Sequence, residues 1–307
     1  MDNSVLLVSP NPHVRARNTT QRIMLDVLIA LVPVLVASVL IFGWRALAVT
    51  ALCVTVSVIC EWGFETLCKR ENTVGDLSAV VTGVLRAFNL PVGIPLWQAA
   101  FGAVVAIVVV KQLFGGIGKN FANPAITARI VMLLSFAGSM SDFSARTDAI
   151  SSATPLAAMT AGEELPSYLD LFLGRHGGSL GETCVLAILL GGAYLLIRRV
   201  ITWHTPVVFI GTVFLFTWVL GENPVEHILT GGLMLGAFFM ATDYSTTPPT
   251  KWGKVIFGLG CGLITVLIRV FGNYPEGVSF AILFMNILTP YISAWTRRKP
   301  FGGVKAK

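Results

Sequence analysis

Residues able to carry chemistry are few in this sequence and fall in three places. The first is Asp148-Ala-Ile-Ser-Ser-Ala-Thr-Pro-Leu156. A small-residue run ending in Thr-Pro presents a hydroxyl on extended, accessible backbone, because the proline disfavours the helical conformation at Thr154. Such a hydroxyl is an acceptor for covalent modification. A Ser/Thr/Ala run is equally the composition of an ordinary loop, and the residues alone leave both open.

The second place is Lys111-Gln-Leu-Phe-Gly-Gly-Ile-Gly-Lys-Asn-Phe-Ala-Asn-Pro-Ala125. Its glycines invite a nucleotide-binding interpretation, but the P-loop spacing is incomplete and Asn120 stands where a Ser or Thr would bind magnesium. A tight glycine turn that sends the chain back into an apolar phase fits better, with Asn120 and Asn123 bonding exposed backbone groups. The third place is a set of ionisable residues in or beside apolar segments: Asp26, Glu61, Glu65, Arg86, Lys111, Arg129, Asp243 and Arg269. An unpaired charge at the centre of a span costs roughly 2.5–3.5 kcal/mol on insertion scales. Lys111, Arg129 and Arg269 lie near segment ends and are expected to snorkel to the interface. Glu61, Arg86 and Asp243 are expected to pair in the core or to contact a cation. Glu61 and Asp243 are the candidates for an ion pathway.

Other constellations are weak. Cys53, Cys60, Cys68, Cys184 and Cys261 form no Cys-x-x-Cys motif, and buried packing is their expected role. His13, His176, His204 and His227 are scattered, without the spacing of a zinc or haem site.

The elements that must position these residues are membrane spans. The chain of 307 residues is 54% hydrophobic and 12% charged, with a mean hydropathy of +0.76, outside the range of soluble domains. Apolar segments at 23–42, 46–67, 77–90, 95–114, 124–137, 184–201, 206–220, 225–242, 252–271 and 278–295 make about ten spans, the number a chain of this length holds. The first is too long for a cleaved signal. An even count puts both termini on one side, and the excess of Lys and Arg in alternate loops assigns that side to the cytoplasm. The net charge of +6 then reflects topology, and nucleic-acid binding is set aside.

The expected organisation is a cytoplasmic tail (1–22), a first five-helix membrane repeat (23–137), an outward-facing loop (138–183) that holds Thr154, a second five-helix repeat (184–295) and a basic cytoplasmic tail (296–307). Pro95-Leu-Trp-Gln-Ala-Ala-Phe-Gly102 resembles Thr250-Lys-Trp-Gly-Lys-Val-Ile-Phe-Gly258, an offset of about 155 residues. Two halves of odd span number must be inverted relative to each other. The third and eighth segments, ending at Pro91 and before Pro248-Pro249, are expected to be broken or half-spanning. Non-helical backbone at membrane depth must be buried in protein or line a cavity, so these breaks point to the central site. The fold class is an all-α polytopic membrane protein.

Asp148, Ser151, Ala153 and Thr154 match the flavinylation motif Asp-Gly-x-Ser-Gly-Ala-Thr of the RnfD/NqrB family, with Ala149 and Ser152 replacing its glycines. The 111–125 run independently resembles that family's KxxFGGxGxNxFNPA segment, and the likeness extends over nearly the whole chain. The resemblance implies FMN joined to Thr154 by a phosphoester, with Asp148, Ser151, Ser152 and Ala153 forming the attachment loop. It also implies a second, non-covalent flavin, for which Asn120 and Asn123 are the candidates. The implied setting is the inner membrane of a bacterium or archaeon, with both termini cytoplasmic and the Thr154 loop outside. The implied function is that of a subunit of a ferredoxin:NAD oxidoreductase coupled to Na+ or H+ transport. The implied partners are A- and E-type membrane subunits, a flavin-bearing G-type subunit, soluble B- and C-type subunits, and a flavin transferase that draws FMN from FAD. Three alternatives stay open: an NqrB-like subunit of a Na+-pumping quinone reductase, which the short tail before residue 23 disfavours, a flavin-free channel of urea-transporter-like architecture, and a structural membrane scaffold whose loop docks partners.

Overall fold

The computed structural model describes residues 19–143, 154–163, 165–272 and 276–297. Among them the regular structure is helical, with no strand. The chain runs through α1 (Thr20–Phe42), α2 (Trp44–Leu67), α3 (Ser78–Phe88) and α4 (Leu96–Val104), the last continuing in π winding over Val105–Gln112. Then come α5 (Pro124–Ser135), α6 (Ala137–Met140), α7 (Pro155–Ala161), α8 (Tyr168–Leu173), α9 (Val185–Ile197) and α10 (His204–Val219). After α11 (Pro224–Leu229), α12 (Leu233–Leu235) continues in π winding over Gly236–Met240, and α13 (Lys251–Phe271) and α14 (Gly277–Thr296) close the order.

Local chemistry sets the starts. Asn123-Pro124, Thr154-Pro155 and Asn223-Pro224 each place a capping side chain before a proline that has no amide to satisfy; the caps accept from first-turn amides of α5, α7 and α11. Among the described residues, α1, α2, α13 and α14 are long and apolar enough to cross a bilayer. On α1, Leu25, Ile29, Val32, Val36 and Leu40 stay exposed on successive turns, as a lipid-facing stripe requires.

The third and eighth segments are interrupted, as expected. With 11 residues, α3 covers about 16 Å, roughly half of a bilayer core. The eighth segment breaks at Thr230-Gly231-Gly232, between α11 and α12. Backbone freed beyond α3 is bonded within the protein: Leu180 and Gly181 amides donate to the Leu90 and Phe88 carbonyls at 2.9 Å, and Arg45 Nε donates to the Val92 carbonyl at 2.8 Å. The last part of the long polar excursion therefore does not stand in water. Ser179, Leu180, Glu182 and Thr183 are all buried.

Packing relates the two ends of the chain. Helix α1 lies on α9 and α5 on α14, while α2 packs on α3 and α4 much as α10 packs on α13.

Candidate functional site

Three polar clusters break the apolar interior. The first lies around the break between α11 and α12. Arg269, from the last turn of α13, donates from Nη1 to the His227 carbonyl at 2.5 Å and from Nη2 to the Thr230 carbonyl at 3.2 Å. A charged fork thus replaces the helical amides that the break removes. Gly231 has φ +68°, a conformation that disfavours a side chain, and a Cβ there would sit tightly, 3.0 Å from Arg269 Nη2 and 3.2 Å from Leu156 Cδ2. Leu156 belongs to α7, so the short helix begun by Thr154 rests directly on the break. Thr154 itself is half-buried and extended (φ −70°, ψ 152°), and its Oγ1 accepts from the Ala157 amide at 3.2 Å. Asp148, Ser151, Ser152 and Ala153 lie outside the described residues.

A second cluster adjoins this break. Arg129 on α5 pairs with Glu276 before α14, lies 3.7 Å from Glu182 Oε2, and donates to Asn89 Oδ1 at 2.6 Å. It thereby ties the end of α3, the buried 179–183 segment and the start of α14 to α5. Gly232 sits against it, its built Cβ 3.0 Å from Glu182 Oε2.

The third cluster is at the opposite end of α2, α3 and α4. Lys111 Nζ donates to Glu61 Oε1 and to Ser78 Oγ, both at 2.6 Å. Gln112 Nε2 donates to the same Glu61 oxygen at 2.8 Å and approaches Glu65 Oε1 at 3.4 Å. Lys111 and Gln112, both buried, lie at the end of the π-wound stretch 105–112. A cleft of about 80 Å³ is lined by Lys111 and Ser78 of this cluster and also by Thr82, Asn120, Asn123, Asp243 and Ser245. Asn123 caps α5, accepting from Ala125 N at 3.0 Å and donating to the Met240 carbonyl at 3.4 Å. Asn120 Oδ1 is buried without a partner. Gly115, Gly116 and Gly118 all have positive φ, so the expected turn is present. Asp243 lies beyond the eighth segment; burial pushes its carboxyl above the usual range, while hydrogen bonds from Ser245 and Thr246 hold it back.

The snorkelling expectation for Lys111, Arg129 and Arg269 is overturned. They are 2%, 4% and 4% exposed, and each points into a polar partner set within the protein. Arg86 is fully buried beside Gly102, and none of its guanidinium nitrogens has a partner. Glu182, His227 and Glu276 were not singled out as site residues from the sequence. For His227 the nearby Gly231-Gly232 pair was the available signal; for Glu182 and Glu276 there was none in the local sequence.

A family model described as the NQR2, RnfD, RnfE family matches residues 7–302. The chain belongs to this family. Among its relatives, the D-type subunit of the Na(+)-translocating ferredoxin:NAD(+) oxidoreductase complex of Acetobacterium woodii is 47% identical, with 100% of this chain and 98% of the relative covered. The D-type subunit of the proton-translocating ferredoxin:NAD(+) oxidoreductase complex of Clostridium ljungdahlii is 39% identical over 97% of each chain. Its counterpart in the ion-translocating oxidoreductase complex of Stutzerimonas stutzeri is 36% identical over 93% of each. Family membership and the helical architecture together make this a multi-pass membrane protein.

Proposed function

We propose that this chain is the flavin-carrying membrane subunit of a ferredoxin:NAD oxidoreductase complex that couples electron transfer to Na+ or H+ transport, with FMN joined to Thr154 by a phosphoester. The observation that carries the reading is the placement of Thr154. Its hydroxyl sits on extended backbone at the start of α7, and that helix packs through Leu156 onto the break at Gly231. The D-type relatives support the redox assignment over a flavin-free channel.

The residues fit the group. Thr154 stands on extended backbone before Pro155, which has no amide, and the Ala157 amide holds its Oγ1 in place at the start of α7. In the attachment step the Thr154 Oγ–P bond forms as the pyrophosphate bond of FAD breaks and AMP leaves, with the threonine proton passing to the transferase. When bound, the flavin supplies one- and two-electron transfer. The chain's own contribution is to hold the attachment point against a bistable candidate, the interrupted α11–α12 segment, whose carbonyls Arg269 bonds. An electron biases such an element only through a differential interaction with its two arrangements.

On the other side, the cleft with the unpartnered Asn120 Oδ1 is the candidate position for a second, non-covalent flavin. At about 80 Å³ it has room for a few waters, so a flavin ring would fit there only if the cleft widened. Asp243, which lines this cleft, and Glu61, paired with the cleft-lining Lys111, are the proposed ion-pathway carboxylates.

The proposed topology places both termini in the cytoplasm and Thr154 outside, with 23–137 and 184–295 as inverted halves. Contacts between α1 and α9 and between α5 and α14 are those a two-fold axis in the membrane plane would generate. The proposed partners are A-, E-, G-, B- and C-type subunits and a flavin transferase.

Mass spectrometry of the peptide containing Thr154, after co-expression with the transferase, is expected to find an FMN-sized addition. Thr154→Ala is expected to abolish in-gel flavin fluorescence from this chain while leaving membrane insertion intact. Covalent flavin retained on the Thr154→Ala chain would refute the choice of acceptor.

A further inference from the structure

Where α10 and α13 begin, the protein forms a cavity of about 260 Å³ whose polar lining comes from Thr202, Thr205, Thr242, Tyr244, Thr247 and Lys254. Lys254 is the charged residue in this wall, and no acidic residue joins it. Its Nζ donates to Thr202 Oγ1 at 2.9 Å, which occupies one of three ammonium donors. The hydroxyls of Thr242, Tyr244 and Thr247 are committed to the carbonyls of Phe238, Val200 and Asp243. Thr205 is the exception. It is 2% exposed, and its hydroxyl opens into the cavity with no hydrogen-bond partner among the described residues. Buried polar groups are nearly always bonded. Helix α10 also starts beside it without a side-chain cap, so its first-turn amides are left to another acceptor.

Charge and setting select the occupant. Lys251 and Lys254 both act electrostatically on the His204 ring at the start of α10, and Arg199 is exposed next to the cavity-lining Val200. Cations, a free hydroxyl and an uncapped helix start together call for an anion. Helix α13 is long and apolar enough to cross a bilayer and begins at Lys251, which sets the cavity at the boundary between membrane and water. Trp203 and Trp252 are 57% and 74% exposed there, as amphipathic rings at headgroup level are. Ile256 and Leu259, four and seven residues beyond Trp252 and on the same face of α13, are exposed too. They form an apolar track leading away from the cavity, which a free phosphate would leave unused and an acyl chain would cover.

We propose that this cavity binds the phosphate of an anionic phospholipid, held by Lys254 and Thr205 at the first turn of α10, with an acyl chain lying along the exposed face of α13. The site is independent of the flavin reading. Basic pockets between spanning helices on the cytoplasmic side are a recurrent form of headgroup recognition, because that leaflet carries anionic lipid, and the proposed topology places the start of α13 on that side. A lipid bound there joins the connection between α9 and α10 to the start of α13.

The whole complex, purified in detergent and delipidated, is titrated with phosphatidylglycerol or phosphatidylcholine, and bound lipid is counted by native mass spectrometry. Lys254→Met is expected to weaken one phosphatidylglycerol site about five- to tenfold, and the shape-preserving Thr205→Val to weaken the same site a few-fold. Lys254→Arg, which keeps the charge, is expected to retain the lipid, and phosphatidylcholine binding is expected to be the same in all four proteins. If Lys254→Met fails to assemble, Thr205→Val and Lys254→Arg still give the comparison. Wild-type phosphatidylglycerol binding in Thr205→Val and in every assembled Lys254 variant would overturn the site. Displacement of the lipid by millimolar inorganic phosphate would show that a free anion suffices and refute the lipid assignment. Loss of a soluble subunit from the Lys254→Met complex, with lipid binding unchanged, would give the surface to a protein partner instead.

Discussion

Replacing Lys111 with methionine tests the cluster that joins α2, α3 and α4. In the wild type, Lys111 Nζ is 2.6 Å from Glu61 Oε1, with side chains 2% and 0% exposed. Methionine preserves the length and apolar volume of the lysine stem and removes only its charge. Glu61 is then left with Gln112 as its donor, and its second oxygen already lacks a partner. Breaking a buried ion pair from one side costs about 3–5 kcal/mol, because an uncompensated charge stays in a low-dielectric site. At about 2–3 °C per kcal/mol for a chain of this size, Tm falls by roughly 6–15 °C. Glu61→Gln alone leaves the ammonium with Ser78 as partner and is also destabilising. The double variant restores neutrality, so the two losses should fail to add, with a coupling of roughly 2–3 kcal/mol. The assay is thermal unfolding of the purified complex at one fixed scan rate, since membrane assemblies seldom unfold reversibly. Additive losses in the double variant, or a Lys111→Met protein with unchanged Tm, would refute the idea that this pair neutralises the interior.

Gly83→Ala should lower stability by about 1–3 kcal/mol, because its Cβ would come within 2.8 Å of the Val54 Cα and only separation of α2 and α3 relieves the clash; a thermal scan of the same complex checks it. Arg269→Leu should cost about 1–3 kcal/mol for each carbonyl left without a donor at the break, read as faster proteolysis near Thr230 in the folded protein. Glu61→Gln and Asp243→Asn should each reduce ions moved per electron more than they slow electron transfer, measured in proteoliposomes; an unchanged ratio in both would retire these carboxylates from the ion pathway.

Much of the architecture was legible in the sequence because a bilayer imposes a one-dimensional rule: each span must be apolar over a known length. The interruption of the third segment was visible for a related reason, since Asn89-Leu-Pro91 cannot continue a helix without cost; for the eighth, the sequence pointed to the end before Pro248-Pro249, and the break lies instead at Thr230-Gly231-Gly232. Asn123 was legible as a capping residue because the Ala125 and Ile126 amides it accepts from are close in sequence, whereas its donation to the Met240 carbonyl was not. The charged interior was not. Glu61 and Lys111 are 50 residues apart and Arg129 and Glu276 are 147 apart. Hydropathy registers a cation near a span end without registering which way it points, and for that reason Lys111, Arg129 and Arg269 looked like interfacial side chains.

The sequence by itself determined that the chain is helical and membrane-embedded, because hydrophobic run length acts locally, and it singled out Thr154 only through the resemblance of its loop to the family's flavinylation motif. Only the tertiary structure decided where that threonine sits. It sets α7 on the broken segment, with Arg269 bonding the break and His227 unpartnered beside it, because burying polar groups in a membrane protein depends on partners that the fold brings together from distant parts of the chain.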